Sequence, residues 1–218
     1  MGDGSALVEL GDEISPEVNQ RVRELFISLR IHPIKGVVAT VPSYRSLLLI
    51  FDPLRLTLPL LQERVEHLLG TMDPSQLPEP RTVEIPVVYG GQLGPDLEWV
   101  AGYHDITPEE VIRLHTGSTY RVYMIGFMPG FPYMGELPEA LNTPRRSTPR
   151  TSVPQGSVGL ALKQTGVYPS RSPGGWQIIG WTPFRLFDAR NWPPAALEMG
   201  DQVRFFAIKE EETGRWQQ

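Results

Sequence analysis

Apolar residues in the first third of the chain fall into alternating strand-like and helix-like sets. Ala6 to Leu10 is a short predicted strand. Ser15-Pro16 then supplies a helix start, with a hydroxyl to cap free N–H groups and a proline at the first helical position. Val18, Val22, Leu25 and Leu29 follow at helical spacing and form one apolar face. His32-Pro33 breaks the run. Two strands are predicted next, Val37 to Val41 and Ser46 to Ile50, with a turn over Pro42 to Arg45. The second is apolar enough to be buried on both faces. A helix over Pro59 to Leu69 sets Leu61, Val65 and Leu68 on one side and ends at Gly70. In this β-α-β-β-α order, the Thr82 to Val88 strand is available to complete a split βαβ unit. Residues Thr71 to Pro80, with Pro74, Pro78 and Pro80, read as a linker. The expectation is a small α/β domain over 1–80 and a second domain over 81–218.

The pattern then changes. Asp96 to Tyr103 is a short predicted helix. Thr107-Pro108-Glu109-Glu110 is a strong helix start, in which Thr107 caps and Glu110 closes a capping box, and the helix ends between His115 and Gly117. Short β-rich runs follow: Tyr120 to Ile125, Ser157 to Leu162, Trp176 to Ile179, Arg185 to Phe187 and Val203 to Ile208. Glycine- and proline-rich turns separate them, and no long helix returns to cover a parallel sheet. A closed or nearly closed β-barrel satisfies this pattern, giving an α+β chain.

Composition narrows the chemistry. The 218 residues contain no cysteine, which removes disulfides, thiol nucleophiles and Cys-ligated metal centres. No apolar run approaches a membrane span, and Met1-Gly2-Asp3-Gly4 lacks a basic, then apolar, leader. A cytoplasmic protein is therefore expected. The net charge of −5 disfavours nucleic-acid binding. It hides an asymmetry, because Leu141 to Arg190 holds seven basic residues and one acidic one, leaving a net −11 elsewhere. Such a local positive field suits a small anion, a carboxylate or an acidic partner; a merely solubilising role for the arginines is the alternative.

Three segments carry this chemistry. Gly126-Phe127-Met128-Pro129-Gly130-Phe131-Pro132-Tyr133-Met134-Gly135 cannot continue as a regular strand. It offers aromatic walls at Phe131 and Tyr133, or else a barrel-closing turn whose rings plug the core. Thr143-Pro144-Arg145-Arg146-Ser147-Thr148-Pro149-Arg150 holds three arginines on proline-stiffened backbone, suited to bidentate anion contacts. Gln164-Thr165-Gly166 and Ser172-Pro173-Gly174-Gly175-Trp176 bring an amide, hydroxyls and backbone N–H groups for an anion-holding nest. No phosphate loop, dinucleotide loop, zinc helix or serine elbow is present. His115, at a helix C-terminus that favours its protonated form, is an acid/base candidate, with a helix-terminal contact as the alternative, and Glu136 beside the aromatic loop is a second candidate.

Six ordered motifs, from Gly126-Phe-x-Pro-Gly-Phe-x-Tyr133 through Thr143-Pro-Arg-Arg146, Thr148-Pro-Arg150, Val153-Pro-x-Gly-Ser157 and Gln164-Thr-Gly-x-Tyr-Pro169 to Ser172-Pro-Gly-Gly-Trp176, resemble one family. It is that of the B subunit of bacterial 5-oxoprolinase, also described as the sporulation kinase inhibitor KipI or allophanate hydrolase subunit 1 family. Ile85-Pro86, Tyr89-Gly90-Gly91 and Tyr120-Arg-Val-Tyr123 match its pattern too. The resemblance implies a small α/β domain followed by a cyclophilin-like β-barrel. It also implies two partners: a homologous, larger cyclophilin-like protein of the C type, with a third protein of the A type. Together these open 5-oxoproline to glutamate with ATP, for which this chain has no nucleotide motif. Alternative roles in the family are inhibition of a sensor histidine kinase and a part in a urea or allophanate carboxyltransferase-like system. Carried onto this chain, His115, Arg145 and Arg146 are assigned to catalysis. Phe131, Tyr133, Arg150, Gln164, Thr165, Gly174 and Gly175 are assigned to substrate, and none to a metal. Leu162 and Lys163 depart from the family's small-residue strand, with consequences expected at the pocket entrance or partner surface.

Overall fold

Ser15 opens α1 (Pro16–Ile31) as its position requires, its hydroxyl accepting the Val18 N–H at 3.2 Å. The computed structural model describes residues 3–73, 75 and 77–216. Met1, Gly2 and the linker's Pro74 lie outside the described residues. The chain divides into two compact units, Met1–Glu79 and Pro80–Gln218.

In the first unit β1 (Ser5–Glu9), β2 (Val37–Pro42) and β3 (Ser46–Phe51) form an antiparallel sheet in the order β1-β3-β2. β1 and β2 thus run parallel on either side of β3, with α1 as their crossover, which is a split βαβ unit. It is completed by β3 and not by the Thr82 to Val88 strand. α1 packs on β2 and β3 and against α2 (Leu58–Thr71). The burial of Ser46 to Ile50 is one-sided, contrary to expectation. Leu47, Leu49 and Phe51 are buried, whereas Ile50 is exposed and Leu48 only half-buried. Side chains alternate across a strand, so a helix layer on one face shields only every second residue.

The second unit closes a seven-stranded barrel. Its strands are β4 (Thr82–Tyr89), β5 (Thr119–Ile125), β6 (Pro132–Gly135), β8 (Ser157–Ala161), β9 (Gln164–Val167), β11 (Gln177–Trp181) and β12 (Gln202–Ala207). They are ordered β11-β4-β12-β5-β6-β9-β8, with β12 pairing β4 in parallel and β5 antiparallel. Val203 and Phe205 turn inward while Gln202 and Arg204 face water. They join Ile85, Val122, Leu160 and Ile179 in one apolar core, which Val100 of α3 (Leu97–Tyr103) and Val111 of α4 (Pro108–Thr116) also enter. Outside the barrel, β7 (Arg150–Val153) and β10 (Ser172–Gly174) form a two-stranded ribbon. Among the described residues no helix is long and apolar enough to cross a membrane.

Two local expectations are corrected. Thr107 caps α4 by accepting the Glu110 N–H at 3.2 Å, but the capping box stays half-made. The Glu110 carboxylate turns to Arg113 at 2.6 Å, where an ion pair replaces the return hydrogen bond. Arg185 to Phe187 is no strand, and only a single bridge joins Phe187 to Ala195. Asp188 gathers the Arg185 and Arg190 side chains and the Arg190 N–H, which curls the chain there.

Candidate functional site

The site is built from the segment leading into α3. A Cβ on Gly94 would collide with the Ile179 backbone, so only glycine lets this stretch lie flat on β11. Gly94 N–H donates to Gly90 O at 2.7 Å and Asp96 N–H to Ile178 O at 2.8 Å. Asp96 is thereby laid against the strand with its side chain 6% exposed. It does not cap α3. Its Oδ2 accepts the Ile178 N–H at 2.6 Å, and its Oδ1 accepts from Arg146 Nη1 at 3.1 Å and Arg150 Nη2 at 2.8 Å.

The arginine loop is pinned from the same side. Arg146 N–H donates to Gly175 O at 2.8 Å, and the Gln177 amide donates to Pro144 O at 3.1 Å. Gly174 pairs with Arg150 across the β10–β7 ribbon. A Cβ on Gly174 would strike the Tyr168 hydroxyl, so Gly174→Ala is expected to cost about 1–3 kcal/mol. Urea denaturation measures this, and an unchanged midpoint would show that Tyr168 gives way freely. Arg145 is exposed and enters no ion pair among the described residues.

Phe131 is the hub of an aromatic cluster. Its ring centroid lies 4.9 Å from Tyr133, 5.2 Å from Tyr168 and 5.5 Å from Trp176, all edge-to-face. At 1% exposure Phe131 packs rather than lines a surface, which corrects its assignment to substrate contact. Tyr133 and Gln164 are half-buried. Burial raises the Tyr133 phenol above its usual range, with Arg145 pulling weakly the other way. Tyr168 is pushed up to about 12, chiefly by burial, against the Trp176 backbone and then Arg145. Both phenols are therefore protonated donors at neutral pH.

His115 and Thr165 are elsewhere, inside the barrel. Both are fully buried. His115 Nδ1 lies 2.7 Å from the Tyr89 hydroxyl and Nε2 3.0 Å from Thr165 Oγ1. The Thr165 hydroxyl donates to Gly159 O at 3.2 Å, so it accepts from Nε2–H, and Nδ1 accepts from Tyr89. The ring stacks on Phe205 at 4.6 Å, and burial lowers its pKa to about 3. Burial thus opposes the protonated form expected at a helix C-terminus. A neutral imidazole without solvent access does not serve as the site's proton carrier, and Thr165, bonded on both sides, does not face a ligand.

Asp96, Arg146, Arg150 and the Gly174-Gly175 turn come together, and Arg145 lies near enough to Tyr133 and Tyr168 to pull on both phenols, while Gln164 opens β9 opposite Ala161. Asp96 carried no signal in the sequence beyond its place before a helix. Leu162 and Lys163 form the exposed turn between β8 and β9, where Leu162, at φ 53°, bridges to Thr143. Among the described residues no group of three or more His, Cys, Asp or Glu gathers as a metal-ligand set.

The family model described as "Carboxyltransferase domain, subdomain C and D" matches residues 1–197. The chain is 41% identical to the 5-oxoprolinase B subunit of Bacillus subtilis (strain 168), over 97% of this chain and 92% of that one. It is 46% identical to the 5-oxoprolinase B subunit of Haemophilus influenzae, over 87% and 89% of the two chains. The crystal structure of TTHA0988 superposes with a TM-score of 0.84 at 38% identity, covering 94% of this chain but only 40% of that longer one. With nearly full-length identity above 40% and a family model spanning both units, the chain belongs to the family of 5-oxoprolinase B subunits, within the carboxyltransferase subdomain C and D proteins.

Proposed function

We propose that this chain is the B subunit of a cytoplasmic, ATP-dependent 5-oxoprolinase that opens 5-oxo-L-proline to L-glutamate. The observation that carries this is the identity of 41% and 46% to two proteins of that name, along most of both chains. Its barrel is of the cyclophilin-like kind, and it works with a larger C-type barrel protein and an A-type protein. The sequence carries no nucleotide-binding motif. Gly174 lies in a β-ribbon rather than ahead of a helix, so no helix N-terminus meets a phosphate there, and activation of the amide belongs to the partners.

This chain's residues bind and orient the lactam. Arg145, which among the described residues enters no ion pair, faces the carbonyl oxygen as negative charge develops, where a preorganised donor is most effective. The Tyr133 phenol and the Gln164 amide hold the ring's polar edge. With the three subunits reconstituted, ATP-dependent glutamate release is expected to require this chain. Arg145→Ala is expected to lower kcat by about a hundredfold. Full turnover with the chain omitted would overturn the function, and full turnover of the variant would remove Arg145 from the mechanism.

A further inference from the structure

Arg146 and Arg150 differ from Arg145 in being held from beneath by a buried carboxylate. Asp96 uses one oxygen for both guanidinium groups and gives the other to a backbone amide, so it satisfies one nitrogen of each arginine. Two further donor atoms, Arg146 Nε and Arg150 Nη1, are out of solvent without an acceptor. Buried donors in folded proteins almost always find one. The open edges of the two side chains remain 35% and 24% exposed. Two arginines on one aspartate carry a net charge of +1, which matches a single monoanionic group. The loop's hydrogen bonds to Gly175 and Gln177 also reduce the side-chain freedom lost on binding.

From this geometry we infer that Arg146 and Arg150, positioned by Asp96, form the specificity subsite for the carboxylate of the small-molecule ligand, separate from Arg145 at the reacting carbonyl. In naming 5-oxo-L-proline as that ligand, the inference rests on the function proposed above. It explains why three arginines stand so close together, since one pair selects the acid and the third acts on the amide.

The test uses the full chain alone and reads binding, so it fails or succeeds apart from the turnover experiment. Arginine side-chain NMR of the 15N-labelled chain is titrated with 5-oxo-L-proline and with 5-oxo-L-prolinamide, which keeps the lactam and lacks the charge. The acid is expected to shift the Arg146 and Arg150 resonances and to bind at least about tenfold more tightly than the amide. Arg150→Gln is expected to weaken the acid by about tenfold and leave the affinity for the amide unchanged, with backbone shifts confined to residues around Asp96 and the β7–β10 ribbon. Because that variant could instead lose its fold, Arg146→Gln is run beside it, with the same loss expected. Equal affinity for acid and amide overturns the assignment, as does a shift confined to Arg145 or no shift with either compound.

Discussion

Acidification from pH 7 to pH 4 is expected to strip several kcal/mol of stability from the barrel unit, and His115 is the cause. In the unfolded chain its imidazole binds a proton near the ordinary pKa of 6.5, whereas in the folded barrel it does so only at about 3. Between those values the unfolded state holds the extra proton. Stability is therefore full above about pH 6.5 and falls as the pH drops toward 3. The window spans about 3.5 units, or roughly 5 kcal/mol, comparable to the whole stability of a marginal domain. The groups facing the ring are Tyr89, Thr165, Tyr120 and Phe205, none of them an acid that would stabilise the imidazolium. Urea midpoints followed by tryptophan fluorescence from pH 7 to 4 measure the effect. His115→Gln removes the titration, so it is expected to be less stable at pH 7 and to lose much less on acidification. Parallel pH profiles for the two proteins would sink the assignment.

His115 also shows where the sequence stopped informing. A helix C-terminus favours a protonated histidine by about 0.3–1 kcal/mol, up to about 2 when partly buried. That term is local and readable. Desolvation inside a closed barrel is several times larger and depends on Tyr89, Phe205 and Thr165, which only the fold brings around the ring. The same limit applied to Phe131 and Thr165. A Gly/Pro run of aromatics looks alike whether a ring points inward or outward, and β9 carries its hydroxyl to the core by alternation alone. Elements with local causes were legible: α1 through Ser15-Pro16, α4 through Thr107-Pro108, and a barrel through short strands with glycine-rich turns. The doubly apolar Ser46 to Ile50 run suggested two covered faces, but the strand run itself carries no count of the layers above it. Within the site, the arginines and Tyr133 stood out by composition, whereas Asp96 meets partners 50, 54 and 82 residues away that no local spacing links to it.

Asp96 should therefore be the least replaceable polar residue of the site. Asp96→Ala leaves two neighbouring guanidinium groups without their shared counter-charge and the Ile178 N–H without an acceptor. Breaking a buried pair from one side costs about 3–5 kcal/mol. Because both arginines are partly open to water, the lower end, about 3 kcal/mol, is expected here. Asp96→Asn keeps an acceptor for Ile178 but turns its NH2, a donor, toward both guanidinium groups, so it loses the charge and both arginine hydrogen bonds, and a cost of about 2–3 kcal/mol is expected. The electrostatic part is isolated by a double-mutant cycle with Arg150→Met. Once one cation is removed, Asp96→Asn should cost about 1 kcal/mol less than it does in the parent chain. Denaturant unfolding of the four proteins at pH 7 supplies the numbers. Strict additivity would mean that Asp96 holds only the β11 backbone, and the arginine pair would then have no buried charge organising it.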